Sequence, residues 1–214
     1  MNRTTLLDLL IATGNVGKVA EIRAALGDLP IKLRTLSDFP GIETPKESGS
    51  TYEANAVIKA MAYAQQTGLW ALADDSGFEV QALGGAPGVF SARYAGAGVS
   101  GGDRIAFLLR QLDQVNSSER GARFVCVAAL ADSTSAIVRV EQGICVGTLI
   151  EEPRGKNGFG YDPIFVPEGF DQTFAELPQD IKNVISHRAR ALQAMRSFLE
   201  QVVGQLVAAS DEAG

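Results

Sequence analysis

Leu6-Leu7-Asp8-Leu9-Leu10-Ile11-Ala12-Thr13-Gly14-Asn15-Val16-Gly17-Lys18 is the stretch whose reading decides the fold. Leu6 to Ala12 is short, apolar and bounded by turn residues, the pattern of a buried strand. Gly14-Asn15-Val16-Gly17 closes it. Val19, Ile22, Leu26 and Leu29 then recur at helical spacing, and Gly27 and Pro30 end the helix. A buried strand turning tightly into an amphipathic helix is the first unit of an α/β protein. The turn also has chemistry. Its glycines let backbone N–H groups point at an anion, the helix N-terminus adds partial positive charge, and Lys18 adds a full one. It is not a Walker A loop, because the glycines are too close and Val19 stands where a metal-binding Ser or Thr would be.

Moving outward, a second helix is expected over about Tyr52 to Gln66, with Tyr52, Ala56, Ala60 and Tyr63 on one face. Trp70 to Ala73 reads as a short buried strand that delivers Asp74 and Asp75 at its end. Gly77 to Gly102 is rich in Gly, Ala and Pro and reads mainly as loop, after which Asp103 is expected to cap a helix carrying Ile105, Leu108, Leu109 and Leu112. Phe124 to Ala131 and Ala136 to Val140 form an expected antiparallel hairpin across Asp132-Ser133-Thr134-Ser135. Gly143 is expected to bend the second strand before Ile144 to Ile150 continues it. Pro163 to Val166 reads as another short strand. A last helix carries Leu192, Met195, Leu199, Val202 and Leu206 on one stripe, and the tail Ser210 to Gly214 looks frayed. The sum is a mixed-sheet α/β protein.

The chain has 214 residues, enough for one large domain or two joined lobes. Its formal charge of −6 argues against general binding to a nucleic-acid backbone, which needs clustered Lys and Arg. A small anionic substrate is still compatible, since a few lysines in a cleft reverse the local potential. Cys126 and Cys145 make no zinc motif and read as buried free thiols. Asp8 interrupts the N-terminal apolar run and no cleavage-type site follows it, so an export signal is not expected. Nor does any stretch approach the ~20 apolar residues of a membrane span. A cytoplasmic protein without membrane or nucleic-acid partners is the expectation.

Several segments suggest chemistry. Glu47, in the run Glu47-Ser48-Gly49-Ser50-Thr51-Tyr52-Glu53-Ala54-Asn55-Ala56 followed by Lys59, and Asp75, in Ala73-Asp74-Asp75-Ser76-Gly77, offer the oxygen ligands that a hard cation such as Mg2+ takes. Gly155-Lys156-Asn157-Gly158-Phe159-Gly160-Tyr161-Asp162-Pro163 sets aromatic rings between glycines, which frees the backbone to approach a flat ligand and offers a stacking face. Lys182 and Ser186-His187-Arg188-Ala189-Arg190 put cations at the mouth of the last helix. There they oppose the macrodipole, which is easier to understand if they reach toward a ligand. A literal GxGxxG at Gly96 to Gly101 follows a loop rather than a strand and fails the dinucleotide-binding context. Ser76 with His187 lacks the GxSxG elbow of a serine hydrolase.

Five segments in this order, ATGNVGKVAEI, ESGSTYEANAVIKA, LADDSGFEVQALGGAPGVFSARYAG, PRGKNGFGYDPIFVPEG and ISHRARAL, run from Ala12 to Leu192. Together they resemble the inosine triphosphate pyrophosphatase family, the dITP/XTP pyrophosphatases of the RdgB type. The resemblance implies an α/β fold with two lobes around a long mixed β-sheet with flanking helices, residues 1–214 forming one nucleotide pyrophosphatase domain with its active site in the central cleft. It implies a homodimer as the assembly. The activity implied is Mg2+-dependent hydrolysis of non-standard purine nucleoside triphosphates (ITP, dITP, XTP) between the α and β phosphates. The products are the monophosphate and pyrophosphate, and the reaction cleanses the nucleotide pool.

Carried over by position, Thr13, Gly14, Asn15, Val16, Gly17 and Lys18 hold the phosphates, with Lys59 near them. Glu47 and Asp75 hold the metal, and Asp75 accepts the proton. Ser76 contacts substrate. Phe159, Gly160, Tyr161 and Asp162 serve base and sugar, and Lys182, His187 and Arg188 close over the base. Ala54 departs from the family pattern, which often has Glu there; Glu53, one place earlier, falls on another helical face. Two other readings stay open: a Maf-type pyrophosphatase acting on pyrimidine or modified nucleotides, and a nucleotide-binding sensor that does not cleave.

Overall fold

Strand β1 (Leu7–Ile11), helix α1 (Val16–Leu26) and strand β2 (Ile31–Thr35) open the fold, with β1 and β2 parallel and Leu9 opposite Leu33. The structure is a computed structural model and describes residues 7–113, 116 and 119–212. Leu6, expected in the first strand, and the last two residues of the tail lie outside them. Then come α2 (Tyr52–Thr67), β3 (Trp70–Val80), β4 (Pro87–Gly88), α3 (Gly101–Gln111), β5 (Gly121–Ala131), β6 (Ile137–Leu149), β7 (Phe165–Pro167), α4 (Gln179–Ile185) and α5 (His187–Glu212). Among the described residues the sheet has seven strands in the order β2-β1-β3-β5-β6-β7, with β4 paired to β3 off that path. β1 runs parallel to β3, while β3–β4 and β6–β7 are antiparallel, so the sheet is mixed.

The chain divides into two compact units, residues 1–75, 127–142 and 189–214 forming the first and residues 76–126 and 143–188 the second. β3, β5, β6 and α5 each pass from one unit to the other. In the first unit, Leu9, Leu10 and Ile11 of β1 are fully buried, as are Leu26 of α1 and Ala56 and Ala60 of α2. Tyr52 and Tyr63 join them, so α2 buries the face expected of it. The second unit has an aromatic core in which Phe78 stacks on Tyr161 at 4.9 Å and lies 4.6 Å from Phe124, with Phe165 and Phe174 closing the cluster. Cys126 and Cys145 are buried, and neither is in a disulfide. No described helix is long and apolar enough to cross a membrane.

The structure differs from the sequence expectations in several places. β3 does not stop at Asp75 but runs on to Val80, so both aspartates sit within a strand. β1 pairs with β3 only as far as Leu72, whereas β4 pairs with it at Phe78 and Glu79 and β5 is its neighbour in the sheet order, and that pairing outweighs the local turn preference of Ser76-Gly77. The supposed loop after Gly77 therefore begins as strand, and it contains β4 and two 3-10 turns. Ser100, not Asp103, caps α3: its Oγ accepts from Asp103 N (3.2 Å) and donates to the Asp103 carboxylate (2.7 Å). β6 is one continuous strand through Gly143. Asp162–Ile164 is a 3-10 turn, and strand starts only at Phe165. On α5 the buried stripe ends at Val203 rather than at Val202 and Leu206. β2 and α4 were missed: β2 is five residues long, and α4 is seven and leaves Val184 in solvent, so neither carries a strong period.

Candidate active site

Within the first unit, the turn after β1 is organised by its own side chains. Asn15 caps α1, its Oδ1 accepting from Lys18 N (3.1 Å), while Asn15 N donates to Thr13 Oγ1 (3.2 Å). A Cβ added at Gly14 would meet nothing within 4 Å, and Val16 is exposed, so the turn presents open backbone at a helix N-terminus. Lys18 Nζ lies 2.9 Å from Asp74 Oδ2, a carboxylate almost wholly buried in β3.

One residue on, Asp75 meets two residues from α2. Lys59 Nζ is 3.7 Å from Asp75 Oδ1 and 3.2 Å from Glu47 Oε1, so two carboxylates distant in sequence converge on one ammonium. Asn55 Nδ2 donates to Asp75 Oδ2 (3.0 Å), and Asn55 Oδ1 accepts from Gly49 N (2.8 Å). Burial pushes the Asp75 carboxyl above the usual carboxylate range and the nearby Glu47 charge adds to this, against the opposing pull of Lys59, Asn55 and Lys18. Glu53 is exposed, on a different face of α2 from the buried Asn55 and Lys59. Among the described residues no three His, Cys, Asp or Glu side chains gather into a metal-holding group.

The second unit holds the aromatic segment and the cations. Asp162 Oδ2 accepts from Phe159 N (2.8 Å) and is 2.5 Å from Lys182 Nζ, a pair whose side chains are each only 3% exposed. Lys182 Nζ sits 4.8 Å from the centre of the Phe159 ring and Arg188 Cζ 5.7 Å from it, so two cations face one half-buried ring. Gly158 and Gly160 flank that ring at φ +72° and +66°, left-handed values that favour glycine. A Cβ on Gly158 would strike the Asp162 carboxylate.

Arg188, 1% exposed, donates from Nη2 to Ser76 Oγ (3.0 Å). Tyr161 is buried, stacked on Phe78, and its hydroxyl donates to Ser91 O (3.1 Å), which makes it an anchor of the segment. Burial raises the Tyr161 hydroxyl pKa above its ordinary value, so the group stays a donor. The His187 ring lies parallel to Phe124 at 4.8 Å.

The sequence candidates thus fall into two sets. Thr13 to Lys18, Glu47, Lys59 and Asp75 lie in the first unit; Ser76, Phe159 to Asp162, Lys182, His187 and Arg188 lie in the second. Asn55 and Asp74 belong to the first set by contact and were not singled out as site residues. A signal for Asn55 existed: it stands four residues before Lys59 and one before Ala56 of the apolar face on α2, and an Asn beside that face is an unfavourable choice without a partner.

A family model, that of the Ham1 family, matches residues 9–198. The dITP/XTP pyrophosphatase of Streptomyces avermitilis is 46% identical over 202 residues, covering 92% of this chain and 98% of that protein. That of Coxiella burnetii is 45% identical over 199 residues, covering 92% and 98%. The solved structure of a HAM1 protein from Coxiella burnetii has a TM-score of 0.84 at 44% identity, covering 91% of this chain and 99% of that chain. The Ham1 protein of Staphylococcus aureus gives 0.80 at 38% identity, covering 91% and 98%.

Proposed function

Since the chain belongs to the Ham1 family, we infer that it hydrolyses non-standard purine nucleoside triphosphates, ITP, dITP and XTP, to the monophosphate and pyrophosphate. The observation that carries the reading is the convergence of Glu47 and Asp75 on one cationic atom beside a helix-capped anion turn. Two carboxylates that close on a single ammonium fit a hard cation which takes one or two carboxylates and fills its other positions with water and phosphate. Glu47 and Asp75 would hold Mg2+, which when bound neutralises phosphate charge at the bond to be cleaved.

The remaining work falls to the chain. Thr13 to Gly17 turn backbone donors toward the phosphates, and Lys18 stabilises charge on the departing pyrophosphate. Lys59 carries positive charge alongside. Asp75, whose burial strengthens its hold on a proton, takes one from the attacking water. Phe159 offers its face to the base, while Gly160 leaves the approach open. Asp162 and Tyr161 fix that ring's segment. Arg188 can only donate hydrogen bonds, which suits the acceptor O6 of hypoxanthine or xanthine and not the amino group of adenine. Ser76 steadies the guanidinium, and Lys182 and His187 complete the surround. Residues 1–214 act in this reading as one hydrolytic domain, in a cytoplasmic homodimer.

The experiment is pyrophosphate release from ITP, dITP, XTP, ATP, dATP and a pyrimidine triphosphate, with Mg2+ and with chelator. The 6-oxo purines should exceed ATP by at least ~10²-fold in kcat/KM, the size expected when donors are left unpaired. Preference for the pyrimidine would favour the Maf-type reading, and binding without release would favour a sensor. A sedimentation measurement tests the dimer.

A further inference from the structure

Asn55 lies on the buried face of α2 and is 1% exposed. Both ends of its amide are engaged, Nδ2 with the carboxylate of Asp75 at 3.0 Å and Oδ1 with the backbone N–H of Gly49 at 2.8 Å. Gly49 stands two residues from Glu47. One rigid side chain therefore ties the β3 carboxylate to the segment that carries the other candidate ligand. Gly49 itself is held close: a Cβ there would come within 2.8 Å of Asn55 Oδ1 and 2.7 Å of Ala54 Cβ. The helix fixes Asn55 at its own N-terminal end, where Thr51 caps it through Ala54 N (3.1 Å).

We propose that Asn55 is a positioning residue that pre-organises Asp75 and the Glu47 segment for a divalent cation. The inference rests on the reading that Glu47 and Asp75 hold a metal. A carboxylate hydrogen-bonded through one oxygen has its plane and its second oxygen fixed, and Asp75 Oδ1 is the oxygen that faces Lys59. Outer partners of this kind orient metal ligands, and their removal costs ~10- to 100-fold in metal affinity or activity. Glu47 needs the help more than Asp75 does, because its side chain is 34% exposed and its segment has no regular secondary structure. The Asn55–Gly49 bond supplies that restraint.

The test is titration of the nucleotide-free full chain with Mn2+ alone, read by the electron paramagnetic resonance signal of the free ion, together with ITP kinetics over a range of metal concentrations. Asn55→Ala should weaken Mn2+ binding at least ~10-fold while leaving KM for ITP at saturating metal within about threefold of wild type. Saturating metal should also recover most of kcat, which damage to the fold would not allow. Gly49→Ala attacks the same link from its other end. It should weaken Mn2+ in the same direction, and the double variant should be no worse than the weaker-binding single variant, because both remove one connection.

Mn2+ affinity within twofold of wild type in a folded Asn55→Ala protein overturns the proposal; if that variant does not fold, the same result in Gly49→Ala does. Strictly additive losses overturn it too. A wild type that takes up Mn2+ and loses it in Glu47→Gln upholds the parent reading whatever Asn55 does. A wild type that takes up none removes both.

Discussion

Replacing Asp162 by Ala should be among the most damaging single changes in the second unit, and its size follows from two contacts. The carboxylate lies 2.5 Å from Lys182 Nζ with both side chains 3% exposed, and it accepts from Phe159 N at 2.8 Å. Removing one member of a buried ion pair costs ~3–5 kcal/mol, because the remaining charge loses its compensation. Lys182 keeps the faces of Phe159 and Phe174, at 4.8 and 5.6 Å from their centres, which cushion an ammonium and favour the lower end of that range. The lost bond to the Phe159 amide adds ~1 kcal/mol.

The expected total is about 4 kcal/mol, or a fall in Tm of ~8–16 °C for a chain of this size. KM for ITP should rise as well, since the segment carrying Phe159 loses its tether. The assay is a double-mutant cycle by denaturant unfolding, with Asp162→Ala, Lys182→Met and the pair. If the account is right, Lys182→Met in the Asp162→Ala background restores stability, giving a coupling of at least ~2 kcal/mol. A coupling below ~0.5 kcal/mol would refute the reasoning, for it would mean that the lysine is solvated without its partner.

Asp75→Asn should abolish turnover while leaving nucleotide binding, and more than about a tenth of wild-type kcat, a barrier change under ~1.4 kcal/mol, would count against its role. The same variant should melt higher than wild type in chelator near neutral pH. The folded-state pKa of Asp75 is raised, so folding against the desolvated anion is penalised above the unfolded pKa, and the penalty vanishes as pH falls below it; a thermal scan at two pH values checks this. Lys18→Ala should weaken triphosphate binding much more than binding of the matching nucleoside, and equal losses by calorimetry would make Lys18 purely structural. Arg188→Ala should narrow the ratio of kcat/KM for ITP over ATP, mostly by loss on ITP. Ser76→Ala should act in the same direction but less, because it frees the guanidinium without removing it. An unchanged ratio in initial-rate measurements on both variants would move selectivity to the shape around Phe159.

Local patterns carried much of this protein in plain view. The apolar run before Gly14 specified β1, the spacing of Ile22 and Leu26 specified the buried face of α1, and Tyr52, Ala56, Ala60 and Tyr63 specified that of α2, because side-chain periodicity is set by neighbours a few residues away. The same holds for the turn at Asp132, whose Oδ1 accepts from Thr134 N (2.8 Å) and Ala136 N (3.1 Å) within the turn itself. The candidate residues Glu47, Lys59 and Asp75 were also legible, as residue types that phosphate and metal chemistry requires.

Tertiary structure alone decided who touches whom. β3 runs past Asp75 because β4, from later in the chain, pairs with it at Phe78 and Glu79, whereas Ser76-Gly77 by itself reads as a stop. Asn55 reaches Asp75 across 20 positions and Arg188 reaches Ser76 across 112, and no periodicity encodes such a separation. Hydrogen bonds and charge pairs at that range exist only once burial has brought the elements together and removed the competing water, so the wiring of the polar groups is a property of the folded chain.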